Sequence, residues 1–588
     1  MAEGETYAQR PALRGTRHMV AAGHYGAAHA AFAILEAGGN AVDAAVAGGR
    51  ALGVLQPDIV NVAGVAPIMV RMADGIVLTI AGLGYWPAAT DPELFVREHG
   101  GHIPESILRT VVPAAPDAWI TALIRFGTMT FGDVAAAAIR FADEGFPMYP
   151  LLADMIAVRK GKYGRWSSSA EIYLPGGQPP KVGEMFVQKD LARTLRYMVD
   201  QESAARARGD RVTGLEAARD AFYRGDIAQA IVAFHAQEGG WMSAKDLADY
   251  HSPIERAPSV RFGGTDVYTC GAWCQGPVLG QALNILDPAS LKAAGHNSAD
   301  YLHTMAEGLK LAFADREAFY GDPKFVDVPM ATLLSDAYNS DRRKLIDPQK
   351  ASLEQRPGKV DGYGGIVKLR RADAARLGVA SSGAGEPTVG RVGQTTGDTV
   401  HFDIVDRDGN MISATPSGGW LQSSPVIPEL GFPLGTRGQM FWLEEGLPGS
   451  LAPGKRPRST LTPTLAHRDG EPYMVWGSPG GDQQDQWITQ LFLRHVHCGM
   501  NLQEAIDAPA WHSEHFPSSF WPRTARPGVL VLEGRVPQET AQELRRRGHE
   551  VEMNDSWSEG RLTAASREDP WRKAAANPRG MQGYAAGR

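Results

Sequence analysis

Three threonines stand close together just before a strand-like segment, and each could serve as a nucleophile. The stretch reads GQTTGDTVHFDIVDRDGN, and the threonines are Thr395, Thr396 and Thr399. A threonine hydroxyl attacks poorly until a base takes its proton, and a free α-amine on the same residue, with a pKa of roughly 8, supplies that base. Freeing the amine requires cleavage of the preceding peptide bond. Chemistry alone leaves all three as alternatives, and Thr399 is favoured because it stands at the strand edge.

A glycine-rich loop between a strand pattern and a helix pattern is the second candidate feature. It reads GSPGG, Gly477–Gly481, within EPYMVWGSPGGDQQDQWITQLF. Glycine lets backbone N–H groups approach a ligand closely at a helix N-terminus. The loop is therefore either a plain turn or an anion or oxyanion site. A phosphate loop is less consistent, because no Lys-Ser/Thr pair follows the glycines.

The elements around the threonines follow from the hydrophobic pattern. Apolar residues alternate with polar ones at Val400, Phe402 and Ile404, which predicts a half-buried strand. DRDGN then predicts a tight turn, and MISATPS the returning strand. In contrast, 370–397 is rich in small residues and has no period, which is typical of an exposed, mobile connection. A mobile segment therefore runs directly into a strand, with Thr399 at the junction.

The remaining pattern concerns packing and class. Apolar residues at three–four spacing predict a helix from about Ala299 to Phe319. With 588 residues, 43% of them hydrophobic, the chain has ample material for a large core. A net charge of −7 without a basic block argues against a nucleic-acid partner. The sequence contains no uninterrupted run of about 18 apolar residues, so no membrane span is expected.

The cysteines and the first residues bear on compartment. Cys270, Cys274 and Cys498 are too few for a disulfide framework and fit a reducing cytoplasm. Cys270 and Cys274 lack a second pair that would complete a metal site, so a structural role is expected and no metal. The beginning of the sequence shows no apolar signal-peptide core. We expect a cytoplasmic protein.

Ordered segments along most of the chain resemble the γ-glutamyltransferase family of N-terminal nucleophile hydrolases. They include AGGNAVDAAVA, MSAKDLADY, AEGLKLAFADREAFYGDPKF, RPRSTLTPTL and GSPGG. In that family a threonine begins the small subunit ten residues before the glycine of a D-x-D-G-N turn. Counting back from Gly409 reaches Thr399, whereas Thr395 lies four residues too early. The resemblance thus selects Thr399 and places the cleavage between Asp398 and Thr399.

The resemblance also implies roles for matched positions. Thr399 would attack an amide carbonyl with its own amine as general base, and the backbone N–H groups of Gly480 and Gly481 would hold the oxyanion. Ser417 takes the place of a family threonine that hydrogen-bonds the nucleophile. Ser459 and Thr460 would line the substrate subsite. No metal or organic cofactor is implied, because the nucleophile carries its own base.

Two departures from the family bear on the substrate. Leu83 stands where the family clamps an α-carboxylate with arginine, and Phe441 and Trp442 replace two aspartates that read an α-amino group, although Gln439 fits. Apolar side chains cannot pair with these charges, and unpaired buried charges are costly. Arg437 is either a new positive contact for an acidic acyl group or a solvent-facing turn arginine.

Three functions therefore remain open. The first is a self-processing hydrolase or acyltransferase that takes a γ-glutamyl or related acyl group in a rearranged pocket. The second is an acylase or small-amide hydrolase of the glutaryl, cephalosporin or oxamate type. The third, from another class, is an unprocessed relative that only binds a ligand.

The family also implies an architecture and partners. We expect an α+β fold, a four-layer α-β-β-α sandwich, in which the segments 1–398 and 399–588 interleave in one globular unit. The expected partners are a small-molecule amide and the two segments of one precursor. Nucleic acid and membrane are not expected, and a homo-oligomer is left open.

Overall fold

Two seven-stranded antiparallel sheets form the centre of the molecule in the computed structural model, which describes residues 8–371, 399–419 and 421–588. The sheet that contains the strand after Thr399, here called the nucleophile sheet, has this spatial order: Tyr584–Gly587, Met19–Ala22, Phe402–Val405, Met411–Ala414, Ile68–Arg71, Val77–Ile80, Ile254–Arg256. The other, here called the facing sheet, has this order: Leu13–Gly15, Trp571–Ala576, Thr563–Glu568, Glu471–Gly477, Thr464–Arg468, Thr265–Tyr268, Ser259–Phe262. Each sheet thus contains strands from both sides of residue 398.

Helices cover the outer face of each sheet. Against the nucleophile sheet and its surroundings lie Tyr25–Glu36, Ala41–Leu55, Pro92–His99, Ala115–Phe126, Phe131–Asp143, Pro150–Val158, Lys160–Tyr163, Ser167–Tyr173, Lys189–Arg206, Arg211–Tyr223, Asp226–Gln237 and Ala244–Ala248. Against the facing sheet and its surroundings lie Pro277–Ile285, Pro288–Ala294, Ala299–Phe319, Met330–Leu333, Asp336–Arg343, Gln484–Phe492, Leu502–Asp507 and Gln538–Arg546. Helix, sheet, sheet and helix follow one another, so the predicted four-layer α+β sandwich is confirmed.

Shorter elements complete the description. Small strand groups are Arg370–Arg371 with Thr524–Ala525, Val426–Ile427 with Phe432–Pro433, Phe146–Pro147 with Met185–Phe186, and Trp511–Ser513 with Val529–Leu532 and Glu550–Met553. Single turns of 3₁₀-helix are Ile107–Arg109, Pro175–Gly177, Leu421–Ser423, Arg437–Met440, Gly481–Gln483 and Arg579–Met581, and Leu493–His497 is a π-helical turn. Within the described residues, no helix combines the length and apolar character needed to cross a bilayer.

The strand after Thr399 is buried on both faces, so the half-buried prediction is wrong. All four residues of Phe402–Val405 are buried. Phe402 and Ile404 join the apolar core on the helix side. Asp403 faces the other sheet, where its carboxylate accepts a hydrogen bond from the Thr563 hydroxyl at 2.7 Å. Alternation marked a polar face correctly, but that face meets a second sheet instead of water.

The predicted hairpin after this strand is confirmed, and its turn connects the strand to a helix. The Asp406 carboxylate accepts the backbone N–H groups of Asp408 and Asn410, each at 2.9 Å. Gly409 adopts φ +82°, a left-handed conformation that glycine tolerates best. The same Asp406 carboxylate accepts the N–H of Ala41 at 3.0 Å, at the start of helix Ala41–Leu55. The turn therefore fixes the nucleophile strand against the helix layer.

Two other predictions have mixed outcomes. The helix expected from about Ala299 to Phe319 has those bounds. The mobile connection was predicted to begin at Arg370, but Arg370 and Arg371 form a short parallel strand pair with Thr524 and Ala525. That part of the prediction is wrong, and the rest of it, together with Asp398, lies outside the described residues.

Candidate active site

Thr399 lies three residues before the strand Phe402–Val405 and touches Ser417. Only 1% of Thr399 is exposed, and its Oγ1 donates to Ser417 Oγ at 3.1 Å. Ser417 is itself fixed to Val65 by backbone hydrogen bonds of 2.8 and 3.0 Å in both directions. Gly64 makes this approach possible, because a Cβ there would overlap the Ser417 carbonyl. The predicted pair is thus brought together and held by the first half of the chain.

Arg437 lies inside the protein against the same serine. It is 0% exposed, and its guanidinium donates to Ser417 Oγ and, at 3.5 Å, to the Met440 sulfur. The solvent-facing alternative for this arginine is therefore wrong. A guanidinium one hydroxyl away from Thr399 places positive charge close to the candidate nucleophile.

Gln439 follows in the same 3₁₀ turn and is buried as well. Its Oε1 accepts from Arg109 at 3.0 Å, and Arg109 also donates to Ser423 Oγ at 3.3 Å. Burial lowers the pKa of Arg109 to about 10, so the side chain is still charged at neutral pH. Gln439 Nε2 is a buried donor without a partner in the described part of the chain. Buried donors are rarely left in that state unless a ligand or water uses them.

The two aromatic residues that replace the family's aspartates are packed into the protein. Phe441 belongs to an apolar cluster with Trp86, and their rings meet edge to face at 5.8 Å. The Trp442 ring lies under the Arg523 guanidinium at 4.3 Å. Leu83 is fully buried. These positions therefore offer no charged partner to a zwitterionic acyl group.

The glycine loop has a conformation that requires glycine. Gly480 and Gly481 adopt φ +120° and +53°, and a Cβ on Gly480 would overlap the Trp487 ring. The strand, loop and helix order predicted for this region is confirmed by Glu471–Gly477 and Gln484–Phe492. The ring of His401, two residues after Thr399, packs where a Cβ of Gly477 would stand. The nucleophile strand and the loop are therefore in direct contact.

Ser459 and Thr460 lie near the glycine loop, and Gln275 connects Ser459 to it. The Ser459 backbone accepts the N–H of Gln275 at 2.9 Å, and the Gln275 amide donates to the Gly481 carbonyl at 2.9 Å. Thr460 Oγ1 is buried and has no partner among the described residues. Ser459 and Thr460 thus lie beside the loop.

Sequence reasoning missed Gln275 and Arg109. Gln275 stands in CGAWCQGP, where only the cysteines drew attention. Cys270 and Cys274 are buried free thiols, and Cys274 pairs with Ser459 as an isolated bridge. The polar glutamine beside two buried thiols was the available signal, but nothing local indicates that its partner lies about 200 residues away.

Among the described residues, one group has the composition of a metal site, and it lies elsewhere. His303, Glu307 and His549 are buried within ligand distance of one another. Glu307, however, already pairs with Lys310 at 2.7 Å and Arg356 at 2.9 Å. Because two cations already pair with the only carboxylate of this group, binding of a metal ion there is opposed. The group touches none of the predicted site residues.

Sequence comparisons agree with this geometry. The chain is 30% identical to the acylase ACY 1 proenzyme of Pseudomonas sp. (strain SE83) over 93% of its own length and 89% of that protein. It is 29% identical to the glutathione hydrolase proenzyme of Escherichia coli (strain K12), with 92% and 87% covered.

Solved structures show the same relationship in three dimensions. The protein called LmbA2991HD superimposes with a TM-score of 0.90 at 43% identity, over 99% of this chain and all of that one. The cephalosporin acylase from Bacillus halodurans superimposes with a TM-score of 0.82 at 28% identity, over 100% and 99%. Residues 27–587 match the family model described as Gamma-glutamyltranspeptidase. The chain therefore belongs to the gamma-glutamyltranspeptidase family of N-terminal nucleophile hydrolases.

Proposed function

We propose that this chain is a self-processing amide hydrolase or acyltransferase in which Thr399 forms an acyl-enzyme. The observation that carries the proposal is the buried contact between Thr399 Oγ1 and Ser417 Oγ. It lies beside a loop whose positive φ angles at Gly480 and Gly481 favour glycine. Related chains named as proenzymes support the maturation step. In our proposal the precursor is cleaved between Asp398 and Thr399, and both segments stay in one globule.

Maturation would use the hydroxyl of Thr399 against its own chain. Oγ1 attacks the carbonyl carbon of Asp398, the C–N bond breaks, and the acyl group moves from nitrogen to oxygen as an ester. Water then hydrolyses the ester, which leaves a carboxylate on Asp398 and a free amine and hydroxyl on Thr399. The buried position of Thr399 keeps the attacking atom fixed relative to Ser417 during both steps.

Turnover would repeat the attack on a substrate amide. The α-amine of Thr399, with a pKa of roughly 8, takes the hydroxyl proton and passes it to the leaving amine. The N–H groups of Gly480 and Gly481 stabilise the negative oxygen of the tetrahedral intermediate. Water or an acceptor amine then attacks the ester carbonyl, and the Thr399 hydroxyl is restored. Ser417 accepts the Thr399 hydrogen bond and orients its oxygen.

The acyl donor is the open part of the proposal. Relatives named glutathione hydrolases support a γ-glutamyl or related donor. A second candidate, an acidic acyl group without an α-amine, is favoured by one observation: Arg437 supplies a buried cation, while Phe441 and Trp442 are packed away as aromatic contacts. In both cases the Gln439 amide and the Thr460 hydroxyl are the polar contacts that a bound acyl group would use.

Intact-mass and N-terminal analysis of the purified protein tests the proposal. We expect two chains, the smaller one beginning Thr-Val-His-Phe. Thr399→Ala should remain one chain and should not turn over amides, whereas Thr395→Ala should behave as wild type. Turnover by Thr399→Ala would exclude Thr399 as the nucleophile. A wild-type chain that stays uncut and inactive would favour the binding-protein alternative.

The acyl preference is then measured on the processed enzyme with γ-glutamyl, glutaryl and oxamic amides that share one leaving amine. A higher kcat/KM for the γ-glutamyl amide would favour the zwitterionic donor. A higher kcat/KM for the two acids that lack an α-amine would favour the second candidate.

A further inference from the structure

Three consecutive carbonyl oxygens of the glycine loop, those of Pro479, Gly480 and Gly481, accept hydrogen bonds. Ser478 Oγ donates to the Pro479 carbonyl at 2.7 Å, and the N–H of Gln483 donates to the Gly480 carbonyl at 2.8 Å. The Gly481 carbonyl accepts from Gln275 Nε2 at 2.9 Å. A trans peptide is planar, with its C=O and N–H pointing in opposite directions. The Pro479 and Gly480 carbonyls share their peptide planes with the N–H groups of Gly480 and Gly481, so their partners set the direction of those two N–H groups. The partner of the Gly481 carbonyl fixes the end of the loop.

Ser478 and Gln483 are local partners, and so is Gln484, whose backbone N–H also donates to the Gly481 carbonyl. Gln275 alone among these four comes from a distant part of the chain. Ser478 and Gln483 belong to the loop and its following turn, so they move with it. Gln275 precedes helix Pro277–Ile285, which packs against the facing sheet. The side chain of Gln275 is completely buried. Gln275 is thus the anchor that relates the loop to the rest of the protein.

Gln275 is in turn held by Arg316 of helix Ala299–Phe319. Arg316 NH1 donates to Gln275 Oε1 at 2.7 Å, and this fixes the amide with its nitrogen toward Gly481. Arg316 also pairs with Asp482, the residue directly after Gly481. Ser519 donates to the same carboxylate through its N–H at 2.7 Å and its hydroxyl at 2.6 Å. Arg316 therefore controls the loop twice, through Gln275 and through Asp482.

A buried ionic cluster keeps Arg316 in place. Glu317 pairs with Arg316 at 2.8 Å and with Arg458 at 2.6 Å, and Arg523 lies at 3.4 Å. Burial opposes ionisation, but these guanidinium groups lower the pKa of Glu317 to about 2. Glu317 thus stays charged at neutral pH, and it holds the buried Arg316 together with Asp482 and the Pro517 carbonyl.

We infer that Gln275 and Arg316 are positioning residues: they hold the Gly481–Asp482 end of the glycine loop in place and thereby position the oxyanion-binding N–H groups of Gly480 and Gly481. Neither residue touches the reacting atoms, and both belong to the segment before Thr399. Catalysis by the second segment thus depends on an amide and a guanidinium from the first. The inference rests on the proposed function, since it needs a reaction that develops an oxyanion.

A purely structural role predicts a different result, and Gln281 provides the matched control. Gln281 is completely buried on helix Pro277–Ile285, which follows Gln275, and its amide donates to Asp315 at 2.5 Å. Among the described residues, its side-chain hydrogen bonds go to Asp315 and Tyr320 and not to the glycine loop. Gln281→Leu therefore costs a buried hydrogen bond of the same kind, without changing the aim of the loop.

The test compares Gln275→Leu, Gln275→Glu and Gln281→Leu with the wild type. Kinetics are expressed per processed chain with a free Thr399, counted by mass spectrometry. Gln275→Glu keeps the shape and the Arg316 contact, but an ionised carboxylate has no proton to donate to Gly481. We expect both Gln275 variants to lose kcat by about 10-fold or more with KM within about 2-fold, since a whole oxyanion donor is worth about 10²–10³. Gln281→Leu should lower Tm but keep kcat within about 2-fold.

Arg316 adds a readout that a folding defect would not show. Arg316→Ala should lose kcat, and added guanidinium at millimolar concentration should restore part of it; Arg316→Lys should keep more activity than Arg316→Ala. Unchanged kcat in folded, processed Gln275→Leu would overturn the inference, and so would equal losses in the Gln275 and Gln281 variants. If Gln275→Leu does not fold, Gln275→Glu decides by the same criterion. An uncut, inactive wild type would instead overturn the proposed function, so the two failures are distinguishable.

Discussion

The two ends of the candidate site use different kinds of chemical group. The catalytic end consists of Thr399, Ser417 and a glycine loop whose working groups are backbone N–H groups. The recognition end consists of side chains, and there Leu83, Phe441 and Trp442 replace charged partners seen in the family. Both ends are equally buried, so exposure does not distinguish them.

The difference teaches which parts of such a site can change. Backbone donors depend on glycine conformations and on remote anchors such as Gln275, so a single side-chain change there disturbs several hydrogen bonds. A recognition side chain can be exchanged as long as its neighbours fill the space. Phe441 shows this, because it packs against Trp86 where a carboxylate would have needed a partner.

The largest expected effect is at the catalytic end, in Gly480→Ala. A Cβ there would overlap the Trp487 ring, and φ is +120°, so the loop must shift and its N–H groups lose their aim. We expect kcat to fall by about 10²–10³ or more. The measurement is kcat and KM on processed enzyme with one amide substrate.

Gly470→Ala is the control for backbone strain alone. Gly470 has φ +84° with open space around its Cβ direction, so the substitution costs about 1 kcal/mol of stability but should leave kcat unchanged. Equal losses of kcat in both variants would show that strain, and not the oxyanion geometry, explains the result.

A smaller and more selective effect is expected at the recognition end, in Arg437→Gln. Removing the buried guanidinium should lower kcat/KM for acidic acyl groups by about 10- to 100-fold, with less change for a neutral acyl group of equal size. Arg437→Lys should fall between the two because it keeps the charge but loses the planar fork. Equal losses for acidic and neutral substrates would show that Arg437 serves Ser417, which it contacts, and not the substrate.

The sequence predicted the catalytic end better than the recognition end, for a physical reason. The DRDGN turn and the glycine loop are local patterns, and Thr399 was chosen by its distance from that turn in the family that the sequence resembles. The burial of Arg437 depends on Ser417 and Met440 packing around it, and the role of Gln275 depends on a loop about 200 residues away. The prediction of a half-buried strand was wrong for the same reason, since its pattern could not show that a second sheet covers Asp403.

The smallest expected effect concerns pH and the support beneath the catalytic end. His512 is fully buried and stacks edge to face with Trp487 at 6.1 Å, and Trp487 lies beneath Gly480. Burial opposes protonation, but Glu559 at 2.7 Å and Glu514 at 3.4 Å raise the pKa of His512 to about 10. Because the folded pKa lies above the unfolded value near roughly 6.5, the protonated imidazole stabilises the fold fully below that pH. This contribution is lost as the pH rises toward 10.

Thermal unfolding of wild type and His512→Gln across this range measures the contribution. Glutamine still donates a hydrogen bond to Glu559 but carries no charge, and titrating groups that do not contact His512 are common to both proteins and cancel in the difference. We expect the wild-type advantage, about 1–3 kcal/mol near pH 6.5, to shrink steadily toward pH 10. A difference that does not vary with pH would mean that His512 supports Trp487 by shape alone. The catalytic end would then differ from the recognition end in its hydrogen bonds but not in its dependence on buried charge.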